Sequence, residues 1–129
     1  MVQINKIDEF AVGQVWTCVG RAEDPDPRLV IGRMERLGEL GVVAHVQIMG
    51  VKVYTPTALT GYSHYIGHAP FALDALRRSI KDVVGETTVE ALTDFETGYQ
   101  AWKRADDGGV WDVPVSEMLA IIESVLRKH

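Results

Sequence analysis

The groups able to do chemistry crowd into one short stretch. Thr57, Thr60, Tyr62, Ser63, His64, Tyr65 and His68, with Tyr54 just ahead of them, lie close together in a segment, 55–70, that carries no hydrophobic periodicity. Long aperiodic connections in small domains often carry function. This one runs into a predicted helix N-terminus, where free amides and the helix dipole favour an anion and histidines change charge near neutral pH. With His45 contributed by the preceding strand, Tyr65 and His68 form a candidate acid–base or anion-binding pocket. The plainer reading is that the tyrosines pack on a sheet and His68 bonds backbone groups ahead of the helix.

Other chemistries fit these residues poorly. His64 and His68 are four apart, a spacing that aims two imidazoles at one metal on a helix. Gly61, Gly67 and Pro70 argue against a helix there, and no glutamate or cysteine accompanies the pair, even with His45 recruited. Glu23, Asp24 and Asp26 lack the glycine and bidentate glutamate of a calcium loop. Ser63 has no glycine-flanked elbow, and Gly13, Gly20 and Gly32 form no phosphate-binding turn. Cys18 falls inside a predicted strand, as a small buried hydrophobe with an ordinary thiol. The residues therefore predict no catalytic set, no metal and no cofactor.

A second concentration is guanidinium and indole. Trp16, Arg21, Arg28, Arg33 and Arg36 lie in the first two predicted strands, and arginine with tryptophan is enriched at interface hot spots. Arg33 and Glu35 share a strand face, which in its plain reading is an ion pair facing solvent.

The elements that must hold these groups follow from pattern. Ten of the seventeen valines precede residue 55, and β-branched residues suit a pleated surface. Three strand-like runs, 14–21, 28–37 and 42–54, are separated by the Pro25/Pro27 turn cluster and by Gly38 to Gly41, so a β-meander is expected. In the third run Val42, Ala44, Val46 and Ile48 alternate, opposite a half-polar row of Val43, His45, Gln47 and Met49. Val51 and Val53 are displaced by one, which makes Gly50 either a bulge or a tight turn. After residue 70 the period changes to 3.6. Helices are predicted from Phe71 to Gly85, from a capping box at Thr93-Asp94-Phe95-Glu96, and from Val115 to a basic end at Arg127-Lys128-His129. Phe95, Tyr99 and Trp102 share the second helix's apolar face, Asp107-Gly108-Gly109 stops it, and Val110 to Val113 reads as a short strand. The fold class is α+β: an antiparallel meander of three to five strands in the N-terminal half, packed on one side by about three helices from the C-terminal half.

Composition bounds the rest. With 129 residues the chain is one domain, 1–129, and its single cysteine forms no internal disulfide. A net charge of −5 repels phosphate backbones, which disfavours nucleic acid. There is no apolar run of membrane-spanning length and no signal-type N-terminus, so a cytoplasmic location is expected. Between Lys81 and Lys103 the charges are all acidic, a solvated face or a surface for self-association or a basic partner.

Gly13-Gln14-Val15-Trp16, Arg21, Ala44-His45-Val46, Gly67-His68-Ala69-Pro70 and Phe95-Glu96-Thr97-Gly98-Tyr99-Gln100-Ala101-Trp102 occur in an order that resembles a family of small bacterial proteins with no established activity. The resemblance spans about Phe10 to Leu126 and implies a fold with little chemistry. It carries over Trp16, Arg21, His45, His68 and Trp102, and departs at Ala72 and Pro114, which affect only helix caps. The reading reached is a non-enzymatic protein-binding domain, immunity-type or regulatory, that meets another protein through the sheet face around Trp16, Arg21, Arg33 and His45. The alternative is a small enzyme or anion sensor built on His45, Tyr65 and His68.

Overall fold

A computed structural model describes residues 2–105 and 108–128. Its strands are β1 (Val2–Ile4), β2 (Lys6–Ile7), β3 (Phe10–Ala11), β4 (Gln14–Cys18), β5 (Arg28–Arg36), β6 (Val42–Tyr54), β7 (Tyr62–Ala72) and β8 (Ile80–Glu86). Its helices are α1 (Leu73–Arg77), α2 (Phe95–Arg104) and α3 (Val115–Arg127). The main sheet runs β7-β6-β5-β4-β8, every pair antiparallel, and β1 joins the same edge of β5 that β4 occupies further along. A small β2-β3 ribbon stands apart. The expected α+β architecture is present, with a main antiparallel sheet of six strands where three to five were expected, and three helices from residue 73 onward.

Strand parity sorts the side chains. Leu29, Ile31, Met34, Ala44, Val46, Ile48, Ala69 and Phe71 turn to one face, where Ala75 and Leu76 of α1 and Val115, Met118 and Leu119 of α3 close the main core. The opposite face carries Arg33, Glu35, Val43, His45 and Gln47. It is not open: α2 lies across it, with Tyr99 and Trp102 against His45 and Phe95 against His68. Helices therefore cover both faces, where the period alone places them on one.

Two expected elements are different. The predicted helix from Phe71 to Gly85 is one short turn, α1, followed by strand β8. Ile80, Val83, Gly85 and Glu86 pair along β4, whose edge is otherwise open, so tertiary pairing overrides the helical stripe. Ser79 marks the change: its Oγ donates to the Ala75 carbonyl at 2.8 Å and accepts the Val115 amide at 2.9 Å. The other difference is the aperiodic segment 55–70, whose second part is strand β7. Its alternation is hidden by a register shift, because Ile66 pairs with Ile48 while Ala69 pairs with Val46. The extra residue lies at Gly67-His68.

Gly50 is a bulge residue and no turn. β6 runs through it unbroken, its φ is +70°, and a Cβ there would sit 1.8 Å from the Asp26 carbonyl oxygen. The capping box at Thr93 does not form. Asp94 is the residue ahead of α2, in the left-handed region at φ 65°, and no side chain caps the helix. The Val110 to Val113 run contributes one parallel bridge, Trp111 to Phe71, held by Trp111 N–H to the Pro70 carbonyl and Ala72 N–H to the Trp111 carbonyl, both 2.9 Å. Asp107 and His129, named above at the ends of two helices, lie outside the described residues. No described helix is long and apolar enough to cross a membrane.

Candidate functional site: a buried Glu–His–His chain

Two glycine bulges build the site. On β5 Ile31 pairs with Val46 and Arg33 with His45, so Gly32 is the inserted residue and Arg33 and Glu35 both swing to the α2 face beside His45. A Cβ on Gly32 would lie 2.3 Å from the Phe95 ring, so this glycine also admits the first ring of α2. On β7 the Gly67-His68 insertion does the matching job. His68 reaches the same face as Pro70, the register partner of His45. Gly98 of α2 then lets the helix close over it, since a Cβ there would be 2.7 Å from the His68 Cβ.

The outcome is a continuous hydrogen-bonded line. His45 Nε2 lies 2.8 Å from Glu35 Oε1, and His45 Nδ1 lies 2.9 Å from His68 Nε2. Glu35 and His45 are fully buried. An ionised carboxylate only accepts, so His45 carries its proton on Nε2, presents a lone pair at Nδ1, and receives the Nε2–H of His68. Glu35 also accepts the Tyr99 hydroxyl at 3.1 and 3.2 Å and Arg33 Nε–H at 3.3 Å. The Arg33 guanidinium in turn rests 4.7 Å from the centre of the Tyr99 ring. The two imidazoles lie nearly parallel, 17° apart, and Trp102 packs edge-on to His45 with centroids 4.7 Å apart.

The electrostatics follow from this geometry. Burial pushes the Glu35 carboxyl up, but the hydrogen bonds from His45, Tyr99 and Arg33 outweigh it and hold the group below the usual glutamate range. Burial pushes His45 down; Glu35 opposes that without overcoming it, and Arg33 adds to the depression. His68 is lowered to about 4, by burial and then by the neighbouring His45. With Arg33 and Glu35 already neutralising one another, a further proton on either ring would be an uncompensated charge in a poorly hydrated place. Both histidines are neutral at pH 7.

The sequence-named residues fall into two groups. His45 and His68 converge as expected, and Arg33 joins them through Glu35. Tyr65 does not: its hydroxyl donates to Asp94 at the start of α2. His64 is exposed and bonds the Val51 carbonyl at 3.1 Å, so it forms no pair with His68. Trp16 is part of the main core, its indole N–H on Gln14 Oε1 at 3.0 Å, on the other side of the sheet from His45. Arg21 is clamped in the loop after β4 by Asp24 at 2.9 and 3.0 Å and by the Lys52 carbonyl at 2.8 Å, with Glu123 3.5 Å away. Trp16, Arg21, Arg33 and His45 thus form no common exposed face. Cys18 is buried as expected, but its thiol is not ordinary: burial pushes it up to about 12. Among the described residues no group of three or more His, Cys, Asp or Glu side chains has the geometry to hold a metal ion.

Sequence reasoning passed over Glu35 and Tyr99. The usable signal was parity: Arg33 and Glu35 lie on the face of the half-polar row Val43, His45 and Gln47, opposite Tyr99 and Trp102 on the one helix rich in aromatics.

Beside the line of polar groups is a cleft of about 410 Å³, walled by Pro70, Trp102, Gly109, Val110 and Trp111. Trp102 belongs to both, with its ring centroid 6.3 Å from that of His68. Comparisons with protein-family models, curated proteins and solved structures find no match to this chain. The family resemblance therefore adds no chemistry, and the geometry must carry the functional reading alone.

Proposed function

We propose that the protein is a small-molecule-binding domain with a general base at His68, its proton relayed through His45 to Glu35. The observation that carries this reading is the unbroken Glu35–His45–His68 hydrogen-bond line with its only less-buried member at one end. A proton taken by His68 Nδ1 leaves as the Nε2 proton passes to His45 Nδ1, and the His45 Nε2 proton passes to Glu35. The product state holds two neutral imidazoles and a neutral carboxylic acid. No charge is left on either ring; the charge left unbalanced is that of Arg33, whose side chain is about a quarter exposed, so the relay exchanges a buried imidazolium for a partly hydrated guanidinium. Glu35, Arg33 and Tyr99 act here as positioning residues, because they fix the tautomer of His45.

The reading concerns proton abstraction from a carbon or oxygen acid, and it is tested with a probe that asks for nothing else. Nitrobenzisoxazole opens to a coloured phenolate when one C–H proton is removed. Wild-type protein is expected to accelerate this by on the order of 10²-fold over buffer, and His68→Gln to return it to the buffer rate. Equal rates for wild type and His68→Gln, with both proteins folded by circular dichroism, overturn the proposal.

A further inference from the structure

The relay says where a proton goes, while the neighbouring cleft says what is bound. We infer that the cleft between Trp102 and Trp111 is a ligand site for a planar, uncharged aromatic or heteroaromatic ring of one or two fused cycles. The inference deepens the acid–base reading and rests on it for the ring's reactive edge, but binding is measurable without turnover.

Three observations select this ligand class. The first is size: about 410 Å³ falls at the lower end of small-molecule sites, which run from about 300 to 1,000 Å³. The second is surface. Two indoles, a proline ring and a valine line the space, and none of the described lining residues is charged, so among them an ionic ligand finds no counter-charge. The third is that several polar groups of the walls are already taken. The Trp102 indole N–H donates to the Gly109 carbonyl at 2.9 Å, the Trp111 amide to Pro70, and the Trp111 carbonyl accepts from Ala72. The walls offer a ligand mainly π face and aliphatic surface, which suits offset stacking of a flat ring.

The walls are also held in place before any ligand arrives. The parallel bridge ties Trp111 to the end of β7, and the Trp102–Gly109 bond ties Gly109 to α2. A rigid slot loses less ordering entropy on binding than a mobile one. A ring stacked on Trp102 would lie on the indole that also packs against His45, so its edge would approach the histidine end of the relay.

The test uses the full chain labelled with ¹⁵N and the indole N–H signals of its three tryptophans, titrated with 2-naphthol and separately with tetramethylammonium. Saturable shifts of the Trp102 and Trp111 signals with 2-naphthol, and no shift of the core Trp16, are the expected result. Trp111→Ala should weaken binding about tenfold, the loss of one stacking wall. A response to tetramethylammonium alone, equal shifts of all three signals, or none, overturns the inference. Binding of 2-naphthol without turnover of nitrobenzisoxazole keeps the cleft and removes the acid–base reading. Turnover with no shift at Trp102 or Trp111 does the reverse.

Discussion

Replacing Glu35 by glutamine keeps the shape of the side chain and removes its charge, which isolates what the carboxylate does. Glu35 accepts from three donors at 2.8 to 3.3 Å: His45, Tyr99 and Arg33. An amide offers one acceptor oxygen and one donor nitrogen. If the nitrogen faces His45, that ring must move its proton to Nδ1, and His68 Nε2 must give its own up; if it faces Arg33, two donors confront each other. Either way a buried group loses its partner, at about 1–3 kcal/mol, and the Arg33 ion pair is broken. Arg33 keeps about a quarter of its side chain in water, so the ion-pair loss is a fraction of the fully buried figure. A total of about 2–4 kcal/mol is expected, or a fall in Tm of roughly 6–15 °C for a chain of this size. Urea unfolding of Glu35→Gln beside wild type measures it, with an unchanged slope showing that only stability moved. Nitrogen chemical shifts of labelled histidine report the tautomer: His45 is expected as the Nε2–H form in wild type and as the Nδ1–H form, or a mixture, in the variant. A loss under 1 kcal/mol with His45 unchanged would refute the account of Glu35 as the anchor of the line.

Two further outcomes follow from the titrating groups. His68 is depressed from 6.5 to about 4, so the unfolded chain binds more protons between those values and stability falls as pH drops through that window. The full depression corresponds to roughly 3 kcal/mol, and partial solvation of the ring leaves about 1–2 kcal/mol of it. Urea midpoints at pH 7 and pH 4.5 should therefore differ by less in His68→Gln than in wild type; identical pH profiles would remove the assignment. Cys18, with its thiol pushed up to about 12, should resist iodoacetamide at pH 8 in the native state and react only once the chain is unfolded. Prompt stoichiometric alkylation of folded protein would show that the thiol is neither as buried nor as protonated as its surroundings require.

Much of the frame was legible from local pattern. β-Branched composition and the two turn clusters marked β4, β5 and β6, the change to period 3.6 marked α2 and α3, and alternation put His45 and Gln47 on the face opposite Val46 and Ile48. Those are short-range properties, fixed by which residues lie two or four apart. β7 and β8 were not legible, because a bulge reset the alternation of one and the other became a strand only by pairing along an edge of β4 that is remote in the chain. The site belongs to the same category. Residues 35, 45, 68 and 99 are joined by nothing in their spacing. They meet because Gly32 and Gly67 shift the register of two strands flanking β6 and because α2 crosses the face that alternation alone leaves half polar. A glutamate that reads as a surface ion pair becomes, under that helix, a buried carboxylate with three donors. Sequence by itself determined that His45 would face away from the main core; packing decided that this face would be closed, dry, and therefore able to hold a line of protons.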